Sequence, residues 1–308
     1  MTKAQNSEVI HAHWVIPNGL AAAWVAGIRK IPFLISLHGS DIFVTQRNPI
    51  FGSVARWVFR RAAGVTACSQ DLQKAAIALG APENTRLLAW GADPDVFRPE
   101  RRSMEKGYAI STRKSDVIFV ALGRLVYKKG FGNLIAAMSR VVKECSGAGL
   151  ILGGDGLLWD ELQRQAEKLD VSDHITFAGR IAWDDVPVFL ANADVFVLPS
   201  IQDQHGNVDG LPTVLLEAMS SGLAVVASDI GGVKLVLQNG KNGILLPPGN
   251  VQALADAMLE LARSPKRRQD LGQAARRSVV DQFNWDNVAA QIAEMLAEAI
   301  ENNRTQIG

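Results

Sequence analysis

The sequence predicts an α/β protein made of two domains, each built on a parallel sheet, and three observations predict it. Short apolar runs alternate with helical stretches along most of the chain. The runs end in glycine turns, and one proline-containing basic stretch near residue 100 interrupts the rhythm. Strands buried on both faces read as continuous apolar runs, and parallel neighbours need crossover helices, so the alternation points to doubly wound sheets. A length of 308 residues leaves room for two domains of ordinary size.

The elements follow in order. EVIHAH is a short strand, and PNGLAAAWVAGIRK is a helix with Pro17 near its start. FLISLHGSD is a second strand that ends in a glycine turn. IFGSVARWVFRRAA is a helix whose apolar stripe runs through Phe51, Val54, Ala55 and Val58. Its Trp57 is expected in the core, with Arg56, Arg60 and Arg61 solvated around it; the other reading is a membrane-facing surface. GVTACSQ is a third strand, Ser69 caps the helix DLQKAAIALG, and TRLLAWG is a fourth strand. Prolines, basic residues and the loss of any period then mark a linker. Beyond it come VIFVALGR, a helix over 131–144, LILGGDG, a helix over 157–169, ITFAGR, a helix over 184–191 and VFVLPS. After the central 197–232 stretch the chain closes with ILLPPGN, a helix over 251–263, another over 266–282 and a long amphipathic helix after Trp285. In that last helix Val288, Ile292, Met295 and Ile300 form a packing stripe. The expected domains are 1–95 and 115–283, with a linker over 96–114 and a C-terminal helix over 284–308.

Bulk composition narrows the function classes. Apolar residues at 48% and charged residues at 20% describe a soluble globular chain, and a net charge of +1 leaves no nucleic-acid footprint. Cys68 and Cys145 have neither metal-ligand spacing nor a disulfide framework, and read as buried free thiols in a reducing compartment. MTKAQNSEVI lacks the apolar core of a signal peptide, so a cytoplasmic setting is expected.

The rest of the chain is organised around residues 197–232, VLPSIQDQHGNVDGLPTVLLEAMSSGLAVVASDIGG. A strand runs into Pro199 and Ser200, and a polar loop follows. Pro212 and Thr213 open a helix, Ser221 and Gly222 close it, and a second strand ends in a glycine pair. Such a unit puts its loop and helix start at the carboxyl edge of a parallel sheet, where the free amides and the dipole suit a phosphate. Asp209 lies in the loop and Glu217 four residues past Thr213. As an isolated pair they read as a turn residue and a solvated helix acid.

The string VDGLPTVLLEAM…SSGLAVVASDIGG resembles the donor-sugar signature of family four of the retaining glycosyltransferases, also called glycosyl transferases group 1, which have the GT-B fold. The likeness runs from EVIHAHW to the last helix. It implies two Rossmann-like domains, a nucleotide diphosphate-sugar as donor substrate, no required cofactor or metal, and transfer with retention on the donor's front face. By this likeness the amides near Asp209, Gly210 and Leu211 hold the sugar and phosphates with Pro212 and Thr213, while Glu217 accepts from the ribose hydroxyls. LGRLVYKKG matches the family's GR…KG pattern, so Arg124 and Lys129, at the turn of Gly123, would neutralise the leaving diphosphate. Lys128 is a second candidate there, and without the family both basic groups read as surface. GGDG, with Gly154, matches the turn that approaches the donor, or is simply a tight turn. FAGR, ending in Arg180, matches the segment that reads the base. HGSD places His38 towards the donor sugar across the cleft, or as a histidine filling a turn. His11, His13 and Trp14 stand where the family lines its acceptor cleft; they lack the further ligands a zinc site needs. FNWD matches the point where the last helix turns back to the first domain.

The sequence also departs from that pattern. The family usually carries about three more strand–helix units ahead of HAHW, so the first domain is expected to be truncated, keeping four strands of about seven. Its first strand would lie on an open edge that invites a homodimer. Asp209 stands where the family usually has Glu, and Lys234 and Leu235 where it often has Pro-Glu. The acceptor is left open between lipid, saccharide and small molecule, with peripheral contact at the inner face of a membrane as one setting. The rival reading is a truncated or minimal nucleotide-binding protein without efficient turnover, and a nucleotide-sugar epimerase is the third. A retaining glycosidase pair is set aside, because it would give the phosphate ligands no purpose.

Overall fold

The computed structural model describes residues 7–39, 41–42, 45, 48–102, 116–204 and 206–307. Most of the linker expected over 96–114, and the start of the N-terminal stretch, lie outside these residues. The chain divides into two compact units. One takes Met1–Trp90, Asp209–Leu211 and Trp285–Gly308; the other takes Gly91–Val208 and Pro212–Asn284.

The first unit holds β1 (Ile10–His13), α1 (Leu20–Arg29), β2 (Phe33–Leu37), α2 (Pro49–Phe59), β3 (Gly64–Ala67), α3 (Gln70–Ala78) and β4 (Arg86–Leu87). The strands pair in parallel in sequence order, with β1 and β4 at the edges. Every residue of β2 is buried, as its run of apolar residues, broken only by Ser36, requires of an inner strand. Ser69 caps α3 by accepting from the Leu72 amide at 3.1 Å.

Four expectations are corrected here. The helix expected from Pro17 begins at Leu20, because an irregular turn, Val15–Gly19, with Ile16 extended inside it (φ −137°, ψ 132°), takes up Pro17. Phe51 is 41% exposed; α2 turns Gly52, Ala55, Val58 and Phe59 inward instead, a set that keeps helical spacing without it. Trp57 flanks that face and is 37% exposed, with the Arg61 guanidinium 4.1 Å above its ring in place of core packing. Cys145 is only half-buried, because it ends a helix of the second unit.

The second unit holds β5 (Val117–Leu122), α4 (Phe131–Glu144), β6 (Ala148–Gly153), α5 (Trp159–Lys168), β7 (Ile175–Gly179), α6 (Val186–Ala191), β8 (Val195–Leu198), α7 (Thr213–Ser220), β9 (Ala224–Ser228), α8 (Val233–Val236), β10 (Ile244–Leu246), α9 (Val251–Arg263) and α10 (Pro265–Asp281). Its six parallel strands lie in the order β10-β9-β8-β5-β6-β7. From β5 the sheet therefore grows first to one side and then, from β8, to the other. This reversal opens a crevice at the carboxyl ends of β5 and β8, the place where open α/β sheets take ligands. Phe119, Leu134, Met138, Val197 and Met258 are among the buried side chains that fix β5 and β8 beneath it. Arg276 on α10 ties three carbonyls of this unit, those of Pro94, Phe97 and Ser220.

The last helix, α11 (Trp285–Ile307), belongs to the first unit and packs on β2, where Leu34, Met295 and Ala299 form a small buried cluster. A Cβ on Gly64 would stand 2.7 Å from Leu34 Cδ2 and 3.3 Å from Met295 Cε, so glycine leaves room for both side chains of this cluster. Met295→Ala should remove most of this contact and lower stability by about 2–4 kcal/mol, read as a shift of the urea midpoint. An unchanged midpoint would show that α11 does not hold the sheet.

Candidate active site

In the second unit the loops after β5 and β8 are locked together by backbone. The Ile201 amide donates to the Lys128 carbonyl at 2.9 Å. A Cβ on Gly130, whose φ is +68°, would fall 1.9 Å from the Pro199 carbonyl oxygen. On the other side the Gly123 amide donates to Gly153, and the Leu125 amide to Asp155 at 2.7 Å. Gly154 has φ +128°, and a Cβ there would sit 1.9 Å from the Gly123 carbonyl oxygen. The GGDG turn is thus a close backbone approach to the β5 loop, which accounts for its glycines without a ligand.

On this frame stand the basic residues. Lys129 folds back over Gly123, its Cε 3.3 Å from where a Cβ would be, and Arg124 is exposed beside it. Arg180 is exposed just past Gly179 at the end of β7. α4 begins at Gly130 and α7 at Pro212, both at the carboxyl edge, and neither has a side-chain cap on its first amides. α2, α3, α9 and α10 are capped by Asn48, Ser69, Asn250 and Ser264, while α1, α5, α6 and α8 are uncapped too, so it is the place of α4 and α7 at the crevice that matters. Glu217 is partly buried on α7. Burial pushes its carboxyl up to about 7, and the Thr213 hydroxyl offsets part of that rise. Ser200, two residues past β8, is buried. Lys234 pairs with Asp229 at 2.9 Å in the turn that departs from the family's pattern.

The first unit gathers a second set. His13 Nδ1 lies 3.0 Å from His38 Nε2, so one ring must carry the proton and the other accept it. His38 stacks on Trp90 at 4.8 Å, and the His11 and His13 rings are 4.5 Å apart. His11 Nε2 meets Ser36 Oγ at 2.8 Å, and the Thr66 hydroxyl donates to that same oxygen. Burial and the neighbouring His13 hold both His11 and His38 below the usual imidazole range, and for His38 Asp41 partly offsets this. Asp41 accepts from the amides of Val15, His38 and Gly39, and so fastens the HG turn to the exit of β1. Trp14, at that exit, has φ +71° and is 44% exposed.

The Asp209–Leu211 stretch also packs in this unit. A Cβ on Gly210 would stand 2.6 Å from the His38 carbonyl oxygen and 2.8 Å from Cys68 Sγ. The Leu211 amide faces that sulfur, and burial drives the Cys68 thiol up to about 11, which makes it an inert packing group. The structure thus brings Asp209, Gly210 and Leu211 to the HG turn, while Pro212, Thr213 and Glu217 stand on α7 of the second unit.

Known proteins share this arrangement. Residues 106–278 match the family model for glycosyl transferases group 1, and residues 1–91 the model for the glycosyl transferase 4-like domain. The chain belongs to glycosyl transferases group 1. A Mycobacterium tuberculosis relative, named as a GDP-mannose-dependent alpha-(1-6)-phosphatidylinositol monomannoside mannosyltransferase, is 33% identical over 89% of this chain and 71% of its own length. The Bacillus anthracis N-acetyl-alpha-D-glucosaminyl L-malate synthase is 26% identical over 99% of this chain and 78% of its own. Among solved structures, Anabaena HepE in complex with UDP superposes with a TM-score of 0.80 at 25% identity, covering 94% of this chain and 79% of that one. The fold is GT-B.

Several side chains of this glycosyl transferase escape sequence reasoning. Trp90 gives no signal of its stacking on His38, since the two stand at the ends of different strands. The His11–Ser36–Thr66 chain does leave a trace, because Ser36 and Thr66 interrupt otherwise apolar strands and so mark one polar row across the sheet.

The shifted carboxyl makes a stability prediction. Between pH 4.5 and about 7 the folded state keeps a proton on Glu217 that the unfolded chain has lost, so this group costs stability as pH rises through that window and no more above it. Glu217→Gln should therefore stabilise the fold at pH 8 by on the order of 3 kcal/mol or less, read as a higher melting temperature, and leave it unchanged near pH 4. An equal shift at both values would place the cause elsewhere.

Proposed function

We propose that the chain transfers a sugar from a nucleotide diphosphate-sugar to an acceptor hydroxyl, with retention at the anomeric carbon and without a required metal. The observation that carries this reading is the strand-order reversal at β5 and β8, with Arg124, Lys129 and two uncapped helix starts gathered on its loops. The donor's diphosphate lies on those groups, and Glu217 accepts from the ribose hydroxyls. Gly123, Gly154 and Arg180 complete the donor side. The bond from the anomeric carbon to the phosphate oxygen breaks as the acceptor oxygen bonds to that carbon on the same face. The acceptor proton passes to the departing phosphate. Arg124 and Lys129 stabilise the charge that builds there, which is the largest single contribution such a site makes.

Asp209, with the Gly210 and Leu211 amides, orients the sugar, and His38 stands on the acceptor side with His13 and Trp14. His38 is neutral at physiological pH, so it can accept from a sugar hydroxyl without adding a positive charge. The proposed setting is cytoplasmic, and any self-association would run through the edge strand β1.

Thermal-shift titration with UDP, GDP and ADP tests the donor side. Ligand at a hundredfold its Kd adds ~2.7 kcal/mol to the folded state, so one nucleotide should raise the melting temperature and Arg124→Ala should abolish the rise. No rise with any of them would overturn the reading. Because ionised Glu217 is the stronger acceptor for two hydroxyls, affinity for the intact nucleotide-sugar should tighten from pH 6 to pH 8, by roughly tenfold at most, and be flat in Glu217→Gln. Sugar recovered on any acceptor with the donor's anomeric configuration would establish transfer with retention; inverted product would refute it.

A further inference from the structure

α1 and α2 together present an apolar and basic face to solvent. The four strands of the first unit follow one another in order, so their right-handed crossovers put α1 and α2 on the same face of the sheet. α11 packs on the other, through Met295 and Ala299 against Leu34. The sides of α1 and α2 turned from the sheet therefore look the same way. On α1, Leu20, Trp24 and Ile28 recur every four residues along that side, and the last two are 68% and 67% exposed. On α2, Ile50 is 72% exposed, and Trp57, two turns further on, joins it. This is an apolar stripe on the wrong side of two helices for a protein that meets only water.

Charge says what covers it. Residues 20–30 and 49–61 hold Arg29, Lys30, Arg56, Arg60 and Arg61, and none of the 31 acidic residues of the chain. Arg29 and Lys30 close α1 as Arg60 and Arg61 follow α2, so both pairs lie at the same end of the face. Arg61 lies over the Trp57 ring and donates to the Trp57 carbonyl, which holds a cation beside an indole. A second copy docked on this face would bring ten like charges together, five from each copy. An anionic bilayer instead offers phosphates to the arginines and acyl chains to Trp24 and Ile28, and indole with aliphatic and basic groups is what interfacial helices carry. Among the described residues no helix is long and apolar enough to cross a membrane. We infer that α1 and α2 lay the protein on the surface of an anionic phospholipid bilayer, with Trp24 and Ile28 entering the headgroup boundary.

This surface belongs to the first unit and the donor-side groups Arg124, Lys129 and Glu217 to the second, so the two readings can fail separately. The full chain would be sedimented with vesicles of phosphatidylcholine alone and with vesicles containing phosphatidylglycerol. It should pellet with the anionic vesicles and not with the neutral ones, and release as salt shortens the screening length. The double variant Trp24→Ser/Ile28→Ser should lower the partition roughly tenfold or more, while Arg60→Glu/Arg61→Glu should erase the preference for anionic lipid. Both should keep the nucleotide thermal shift, which shows that they fold. Equal binding to both vesicle types, binding to neither, or anionic binding untouched by these changes would overturn the inference. So would a doubled solution mass that reverts to the monomer in the Trp24→Ser/Ile28→Ser variant, since the face would then join two copies.

Discussion

The candidate donor site depends on how closely three loops of the second sheet can approach through backbone alone. Gly130 stands against the Pro199 carbonyl and Gly154 against the Gly123 carbonyl, each nearer than a Cβ would allow, and both glycines have positive φ. Because these loops follow β5, β6 and β8, the strands around the reversal of strand order, any side chain there would push the crevice walls apart. The same closeness lets Lys129 fold over Gly123 and lets α4 and α7 start at one edge. The chemistry attributed to Arg124, Lys129 and Glu217 therefore rests on glycines that need touch no substrate.

Much of this was legible in the sequence, for physical reasons. Strands buried on both faces must be continuous apolar runs, so FLISL and VIFVAL announced themselves, and the helix expected over 131–144 appears as Phe131–Glu144. Fully amphipathic helices with caps were read well. The errors fall where local pattern underdetermines packing. Phe51 and Trp57 are apolar residues on a helix that also has a complete inward face without them. Nothing in their spacing could say which apolar side met the sheet, and the surplus became the exposed face of α2. The start of α1 differs because Pro17 belongs to the irregular turn Val15–Gly19, and α1 begins only at Leu20.

The loop that holds Asp209 shows a different limit. Its sequence reads as one strand–loop–helix unit, and pattern alone assigns every residue of that unit to one sheet. Yet Gly210 packs on the His38 carbonyl and Cys68, so three residues of the loop belong to the first unit and Pro212 onward to the second. Cys68 is what makes the seat: a small buried thiol with no ionised form near neutral pH can back directly against a backbone. Long-range packing of this kind leaves no periodic trace.

Burial acts on the two sets of titratable groups in opposite charge senses and gives them one common working state. In the first unit it disfavours imidazolium, and the proximity of His13 to His11 and His38 adds to that, so His11 and His38 are neutral above their lowered values. In the second it disfavours carboxylate, so Glu217 ionises only near pH 7. A ligand hydroxyl that donates to Glu217 stabilises the ionised form and lowers that value, which couples binding to proton release. Ionised Glu217 with neutral His38 is therefore reached just above neutrality. On the proposed reading this state pairs an acceptor for the ribose with an uncharged hydrogen-bonding partner at the sugar. The positive charge needed for the leaving diphosphate is then supplied by Arg124 and Lys129, whose charge does not change across that range.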